Sequence, residues 1–175
     1  MSGVTYLAEN QEWIEKCRSA KLDTIQDILD NIPLIYSLKE SLRLAPPIPL
    51  NVMRHVVKPA EFAGIKVQPG DLITYGHGGV CEIEEFFENP KKFNPDRYYN
   101  KEWEEKLPRT LNIPFGFGRR SCMGKDIALI ELPIYLARIL SRFDIKLPEN
   151  YERKFECKFG YKSVNTELLV KLRNK

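Results

Sequence analysis

Cys122 closes the most distinctive run in this 175-residue sequence, Phe115-Gly116-Phe117-Gly118-Arg119-Arg120-Ser121-Cys122-Met123-Gly124. Gly116 and Gly118 let the backbone take turns that a side chain would forbid. A helix is predicted to begin near Gly124. Its positive end, with Arg119 and Arg120, favours thiolate over thiol at Cys122. A thiolate on a tight Gly-rich turn can approach a flat metal macrocycle closely. Phe115 offers that macrocycle an apolar face, and an arginine can pair with an acidic group on its edge. The competing explanation for a lone cysteine is structural burial, since a free cysteine behaves as a small hydrophobe. The other cysteines, Cys17, Cys81 and Cys157, have no such setting. No C-x-x-C pair occurs and no histidine stands at zinc-ligand spacing. Cysteines spread this widely argue against a disulfide scaffold, so they read as reduced thiols in a reducing compartment.

Two further constellations precede this run. Glu40-Ser41-Leu42-Arg43 puts an acid and a base three positions apart, on one face of a helix, where they can pair. Phe93-Asn94-Pro95-Asp96-Arg97-Tyr98 follows some fifty positions later.

The Cys122 run resembles the haem-binding signature of the cytochrome P450 family, F-x-x-G-x-R-x-C-x-G, at Phe115, Gly118, Arg120, Cys122 and Gly124. Glu40 and Arg43 match the family's E-x-x-R motif, and Phe93, Pro95 and Arg97 its F-x-P-x-R segment. The order is the family's too, and the resemblance runs from about Tyr6 to the end of the sequence. It implies haem (iron protoporphyrin IX) as cofactor, with Cys122 as the iron ligand. Phe115, Gly118, Arg120 and Gly124 would complete the binding loop, and Arg54 would reach a haem propionate. Glu40, Arg43 and Arg97 would form a buried triad that holds the fold and does no chemistry. His55 and His77 take no role in the resemblance, and surface or satisfied polar placement is expected for both. Asn51-Val52-Met53-Arg54 further resembles sterol 14-demethylase members of the family.

The implied function is a haem-thiolate oxidoreductase of the monooxygenase class. It would act on a lipophilic organic substrate with dioxygen and draw electrons from an NADPH-dependent reductase. The family is much longer than this sequence, and no counterpart of its distal acid–alcohol pair is identifiable. The chain is therefore expected to supply the proximal side alone, and by itself not to hydroxylate substrate. A catalytically silent haem-binding remnant and a haem-thiolate isomerase or lyase remain open. Membrane association at the endoplasmic reticulum is expected only as part of a longer chain.

The elements needed to position these residues are mostly helical, with short strands: an α+β arrangement, the C-terminal portion of the P450 fold, over residues 1–175 as one unit. One helix is predicted over Tyr6–Arg18. A short one, capped by Asp23, should place Ile25, Ile28 and Leu29 on one side. A third starts at Asn31-Ile32-Pro33 and runs to Leu44, with Leu34, Leu38 and Leu42 as its apolar stripe. Pro46-Pro47 stop it. Asn51–Tyr75 reads as short strands around Val52, Val56-Val57 and Ile65–Val67, turned at Gly64 and Pro69-Gly70. One or two helical turns are expected over Glu82–Phe87, and an irregular stretch over Lys91–Thr110. Lys125–Arg142 is predicted helical, with a kink or one lost backbone bond at Pro133. Short strands should follow, clearest at Leu168-Leu169-Val170. An apolar face is expected to stand exposed along Leu34, Leu38 and Leu42 or near Ile127 and Ile130.

Composition sets the outer bounds. Hydrophobic residues make up 43%, enough for a packed core. The 27 Lys and Arg exceed the 24 Asp and Glu by only three, too few to argue for nucleic acid as a partner. No apolar run reaches the length needed to cross a bilayer, and the start carries no basic region followed by an apolar stretch.

Overall fold

The computed structural model describes residues 2–108, 111, 114–157, 161–164 and 166–173. Among the described residues, seven helices run in chain order: α1 (Ser2–Glu9), α2 (Gln11–Arg18), α3 (Ile25–Leu29), α4 (Ile32–Leu44), α5 (His77–Val80), α6 (Lys101–Lys106) and α7 (Lys125–Arg142). Short 3-10 turns cover Pro95–Tyr99 and Gly118–Arg120. Eight strands, β1 (Arg54–His55), β2 (Ala60–Phe62), β3 (Ile65–Val67), β4 (Leu72–Ile73), β5 (Phe143–Lys146), β6 (Lys154–Cys157), β7 (Tyr161–Val164) and β8 (Leu169–Leu172), pair as four antiparallel ribbons. The ribbons are β1–β4, β2–β3, β5–β8 and β6–β7. The architecture is α+β and mostly helical.

The core lies where α2, α3 and α4 meet α7, with α1 packed on α4 and α2. Leu7, Ile14, Ile28, Leu34 and Leu140 are fully enclosed there. At about 25 cal/mol per Å² of apolar surface, such burial is what drives these helices together, since α1, α2 and α3 are too short to be stable alone. Helix α4 is the axle of the arrangement. Asn31 caps it by accepting from the Leu34 N–H at 3.0 Å, Pro33 sits in its first turn, and it ends at Leu44 as the sequence predicts.

Several elements depart from expectation for identifiable reasons. The predicted helix Tyr6–Arg18 is two helices, parted at Asn10. The Asn10 side chain donates to the Tyr6 carbonyl at 2.7 Å, taking an acceptor the helix would have used onward. The cap of α3 is Thr24, not Asp23: Thr24 and Asp27 form a reciprocal capping box. Glu82–Phe87 is a run of turns rather than helix. Its neighbourhood spends backbone carbonyls on tertiary partners, Cys81 O accepting from Arg43 and Glu88 O from Arg97. The stretch expected to be irregular contains a 3-10 turn and α6, capped by Asn94 and Asn100. Arg109 and Thr110, at the end of that stretch, lie outside the described residues. In the middle ribbon, β1 falls on Arg54–His55 instead of Val52 or Val56-Val57, and the last strand begins at Leu169, one residue after Leu168.

Helix α7 runs unbroken across Pro133, which costs only the bond that the residue 133 nitrogen cannot donate. Its two halves differ. Pro133, Leu136, Ala137 and Leu140 are buried, whereas residues 125–132 are exposed apart from half-buried Ala128. Of the two candidate open faces, Leu34 is fully buried, while Ile127 and Ile130 stand 62% and 47% exposed. The exposed face is therefore that of α7.

Candidate functional site

The acid–base residues spaced along α4 and the 3-10 turn converge on one point. Arg43 donates to Glu40 through Nε at 2.9 Å and Nη2 at 2.8 Å, a two-pronged pair within one helix turn. Arg97 Nε reaches the same carboxylate at 3.1 Å, and the Asn94 backbone N–H adds a donor at 3.0 Å. The guanidinia also donate to backbone carbonyls: Arg43 to Cys81 at 2.8 Å and Lys92 at 3.5 Å, and Arg97 to Glu88 at 3.2 Å. Phe87, fully buried, lies against the Arg43 guanidinium 4.9 Å from its ring centroid. Burial works against the Arg43 charge, and the Glu40 hydrogen bonds and charge more than offset it, so its guanidinium is harder to deprotonate than usual. Glu40 and Arg43 are essentially inaccessible and Arg97 is 9% exposed. No solvent-borne molecule can reach these groups, so their work is to tie α4 to the 3-10 turn.

Cys122 has the opposite setting. Its N–H donates to the Phe115 carbonyl at 2.7 Å, closing a loop over residues 116–121, and the Ser121 N–H donates to Gly118 O at 3.1 Å inside it. Gly116 and Gly118 take φ of 74° and 68°, in the left-handed region that only glycine enters freely. Gly124 caps α7, and a side chain there would begin 3.8 Å from the Cys122 sulfur. Cys122 is exposed, whereas Cys17 and Cys81 are buried and outside any disulfide. Burial pushes both of those up, to about 11, which keeps them inert.

The exposed apolar side chains of the loop and of the first turn of α7 are Phe117, 64% exposed, Met123, fully exposed, and Ile127, 62% exposed. Phe115, expected to provide an apolar face, is half-buried and lines a groove with Lys39, Tyr98 and Lys125 that Gly116 and Phe117 also line. A groove of about 410 Å³ is lined by Arg54, from β1, together with Gly116, Phe117 and Arg120. Arg54 and Arg120, 66 positions apart in the sequence, thus share one concavity at the edge of the Cys122 loop. Sequence reasoning overlooked Phe117 as an apolar wall; its place between two glycines with positive φ was the available signal. It also missed Phe87 and the Asn94 amide at the buried node, for which the sequence carries no mark.

His55 is exposed on β1. His77 departs from the expected surface or satisfied placement. It is 1% exposed, its Nδ1 has no partner among the described residues, and its Nε2 lies 3.8 Å from the Cys81 sulfur. Burial holds its pKa below the usual histidine value.

A family model described as Cytochrome P450 matches residues 2–172. The chain belongs to the cytochrome P450 family. P450 proteins are haem-thiolate proteins whose cofactor is iron protoporphyrin IX. "Cytochrome P450 76A1" of Solanum melongena is 31% identical over 127 residues, covering 72% of this chain and 27% of that one. "Zealexin A1 synthase" of Zea mays is 29% identical over 85% of this chain and 30% of its own length. A mitochondrial 1,25-dihydroxyvitamin D(3) 24-hydroxylase of Rattus norvegicus is 32% identical over 70% and 23%. The chain thus spans less than a third of each of these curated relatives. Among solved structures, retinoic acid-bound cyanobacterial CYP120A1 superposes with a TM-score of 0.85 at 23% identity, over 98% of this chain and 42% of that one. CYP102L1 superposes at 0.86, also 23% identical, over 98% and 40%. These confirm the P450 fold. The likeness of Asn51–Arg54 to sterol 14-demethylases finds no support in these comparisons. No helix among the described residues is long and apolar enough to cross a membrane.

The residues present fit the family cofactor. A haem offers an apolar disc, an iron seeking an axial ligand and two carboxylates on one edge. The loop offers an exposed thiol, an apolar surface beside it, and two arginines lining a groove at its rim.

Proposed function

We propose that this chain is the thiolate-bearing segment of a haem monooxygenase that oxidises a lipophilic organic substrate with dioxygen. Cys122 would ligate the iron, with Phe115, Gly118 and Gly124 shaping the loop. Arg54 and Arg120 would meet the propionates, and Glu40, Arg43 and Arg97 would hold the framework. When bound, haem with a thiolate ligand supplies electron density that favours O–O cleavage. The protein's part is ligation and placement. The Cys122 sulfur would be the protein's ligand to the iron. Glycine at 124 keeps the space beside that sulfur clear, and the positive-φ glycines hold the loop backbone out of the way. The two arginines offset the negative charge of a propionate edge. Electrons would come from an NADPH-dependent reductase meeting exposed Arg119 and Lys125 on the loop side. Cys17 and Cys81 as inert buried thiols suit a reducing compartment.

The observation that carries this reading is the exposed Cys122 thiol set beside an apolar face and a groove with Arg54 and Arg120. The test is to express the chain, add haem and record the ferrous–CO spectrum. A Soret band of the thiolate-ligated type supports the reading, and its absence at saturating haem overturns it.

A further inference from the structure

Among the described residues, the helix that leads away from Cys122 is packed at one end only. Residues 125–132 of α7 are exposed save half-buried Ala128, while Leu136, Ala137 and Leu140 bury against the other helices. The direction in which α7 points is therefore set at its far end. There, Arg18 of α2 bridges the last turn. Its Nε donates to the Leu140 carbonyl at 3.0 Å and its Nη2 to the Phe143 carbonyl at 2.7 Å. The same guanidinium pairs with Asp144 at 3.0 Å and Glu15 at 2.7 Å, and its side chain is only 9% exposed. Arg173 joins from beyond β8, donating to the Leu140 carbonyl at 3.4 Å and pairing with Asp144 at 3.5 Å. Two cations thus complement the negative end of α7, where backbone carbonyls have no helical partner.

We propose that Arg18 is a positioning residue for the Cys122 ligand, acting through α7 as a lever. From Lys125 to Arg142 the helix is about 26 Å long at 1.5 Å per residue. A tilt of about 5° at the clamped end would move the other end by about 2 Å, and an ångström is enough to spoil a reacting geometry. The planar fork of Arg18 spans two carbonyls three residues apart, on either side of the helix-to-strand junction. It thereby fixes both the roll of the last turn and the direction of β5. A lysine would keep the charge and lose the fork. The proposal rests on Cys122 as the haem ligand, and the experiment separates the two.

The full chain is prepared as wild type, Arg18→Gln and Arg18→Lys. Amide hydrogen exchange is measured without haem, and the ferrous–CO spectrum with it. The expected result is exchange roughly tenfold faster in both variants at the Cys122 and Ala128 amides, relative to the α4 amides, as loss of a charge-assisted bond would give. With haem, both variants should shift from thiolate-type to neutral-thiol-type Soret. Uniform acceleration across the chain, or restoration by lysine, would reduce Arg18 to a stabilising charge and overturn the proposal. A wild type without thiolate-type spectrum would overturn the functional reading, and the exchange comparison would still decide the lever. If Arg18→Gln does not fold, Arg173→Gln removes the outer member of the clamp. It should give the same local pattern at smaller amplitude, and no local excess there would equally count against the lever.

Discussion

At the Glu40 node a fully enclosed carboxylate accepts from two guanidinia and a backbone amide, while at the Cys122 loop the thiol, both flanking arginines and the adjoining helix face are exposed. The node joins α4 to the 3-10 turn, and the loop leads into α7. The node has every charge paired because an unpaired charge in that interior would cost several kcal/mol. The loop has its polar and apolar groups unspent. Satisfied groups hold a fold together, and unsatisfied ones are available to a ligand. A like contrast runs along α7, whose second half is buried in the apolar core while its first half, next to the Cys122 loop, stands open.

The comparison breaks first if the two regions cost the same to damage. Glu40→Ala leaves two buried cations without their partner and is expected to lose about 3–5 kcal/mol. Cys122→Ser alters an exposed side chain and should stay within about 0.5 kcal/mol. Urea denaturation of both variants reads the difference. Equal losses would mean that Cys122 is as structural as Glu40.

Helix α7 allows the same contrast within one element. Leu140→Ala should cost about 2–5 kcal/mol, the range for a truncated core leucine. Ile127→Ala, at a position 62% exposed, should change stability by about 0.5 kcal/mol or less without haem. With haem present, Ile127→Ala should weaken binding, which a haem titration would show. Unchanged haem affinity would remove Ile127 from the proposed site.

Gly118→Ala tests the loop backbone. At φ 68° an alanine is strained by roughly 1–2 kcal/mol, although nothing lies within 4 Å of the added carbon. The expected result is a modest stability loss with a larger fall in thiolate-type haem. A stability loss alone would show that the loop tolerates redirection.

The smallest effect is one of pH. His77 is buried with its folded pKa depressed by desolvation, so the unfolded chain takes up a proton before the folded chain does. Its contribution is complete above the unfolded value of about 6.5 and is lost as pH falls through the lower folded value. Urea midpoints should therefore decline from neutral pH into the acid range, and His77→Phe should flatten that slope. The same slope in the variant would exclude His77 as its source. Because His77 sits beside Cys81, whose carbonyl Arg43 holds, this acid sensitivity belongs to the node and not to the loop.

How these regions read in the sequence follows from the same physics. The Cys122 loop was legible because its requirements are local: glycines for left-handed turns, a cysteine, arginines and a helix start lie within ten positions. Helix α4 was legible to the residue because Asn31, Pro33 and the double proline punctuate it. The node was only half-legible. Its charges are marked by spacing, but Phe87, the Asn94 amide and the carbonyls of Cys81 and Glu88 join it through tertiary contact alone. The break at Asn10 shows a single side chain overriding a periodic pattern. Burial of His77 could not be read, since nothing in its neighbours distinguishes an enclosed histidine from an exposed one.

The central claim is that the exposed thiol of Cys122 ligates haem iron while the buried thiols do not. Each of Cys17, Cys81, Cys122 and Cys157 is replaced by serine in turn, and the ferrous–CO spectrum of each haem-loaded chain is recorded. A thiolate-type Soret band retained in the Cys17, Cys81 and Cys157 variants and abolished in Cys122→Ser is the predicted result. Its persistence in Cys122→Ser would contradict the account.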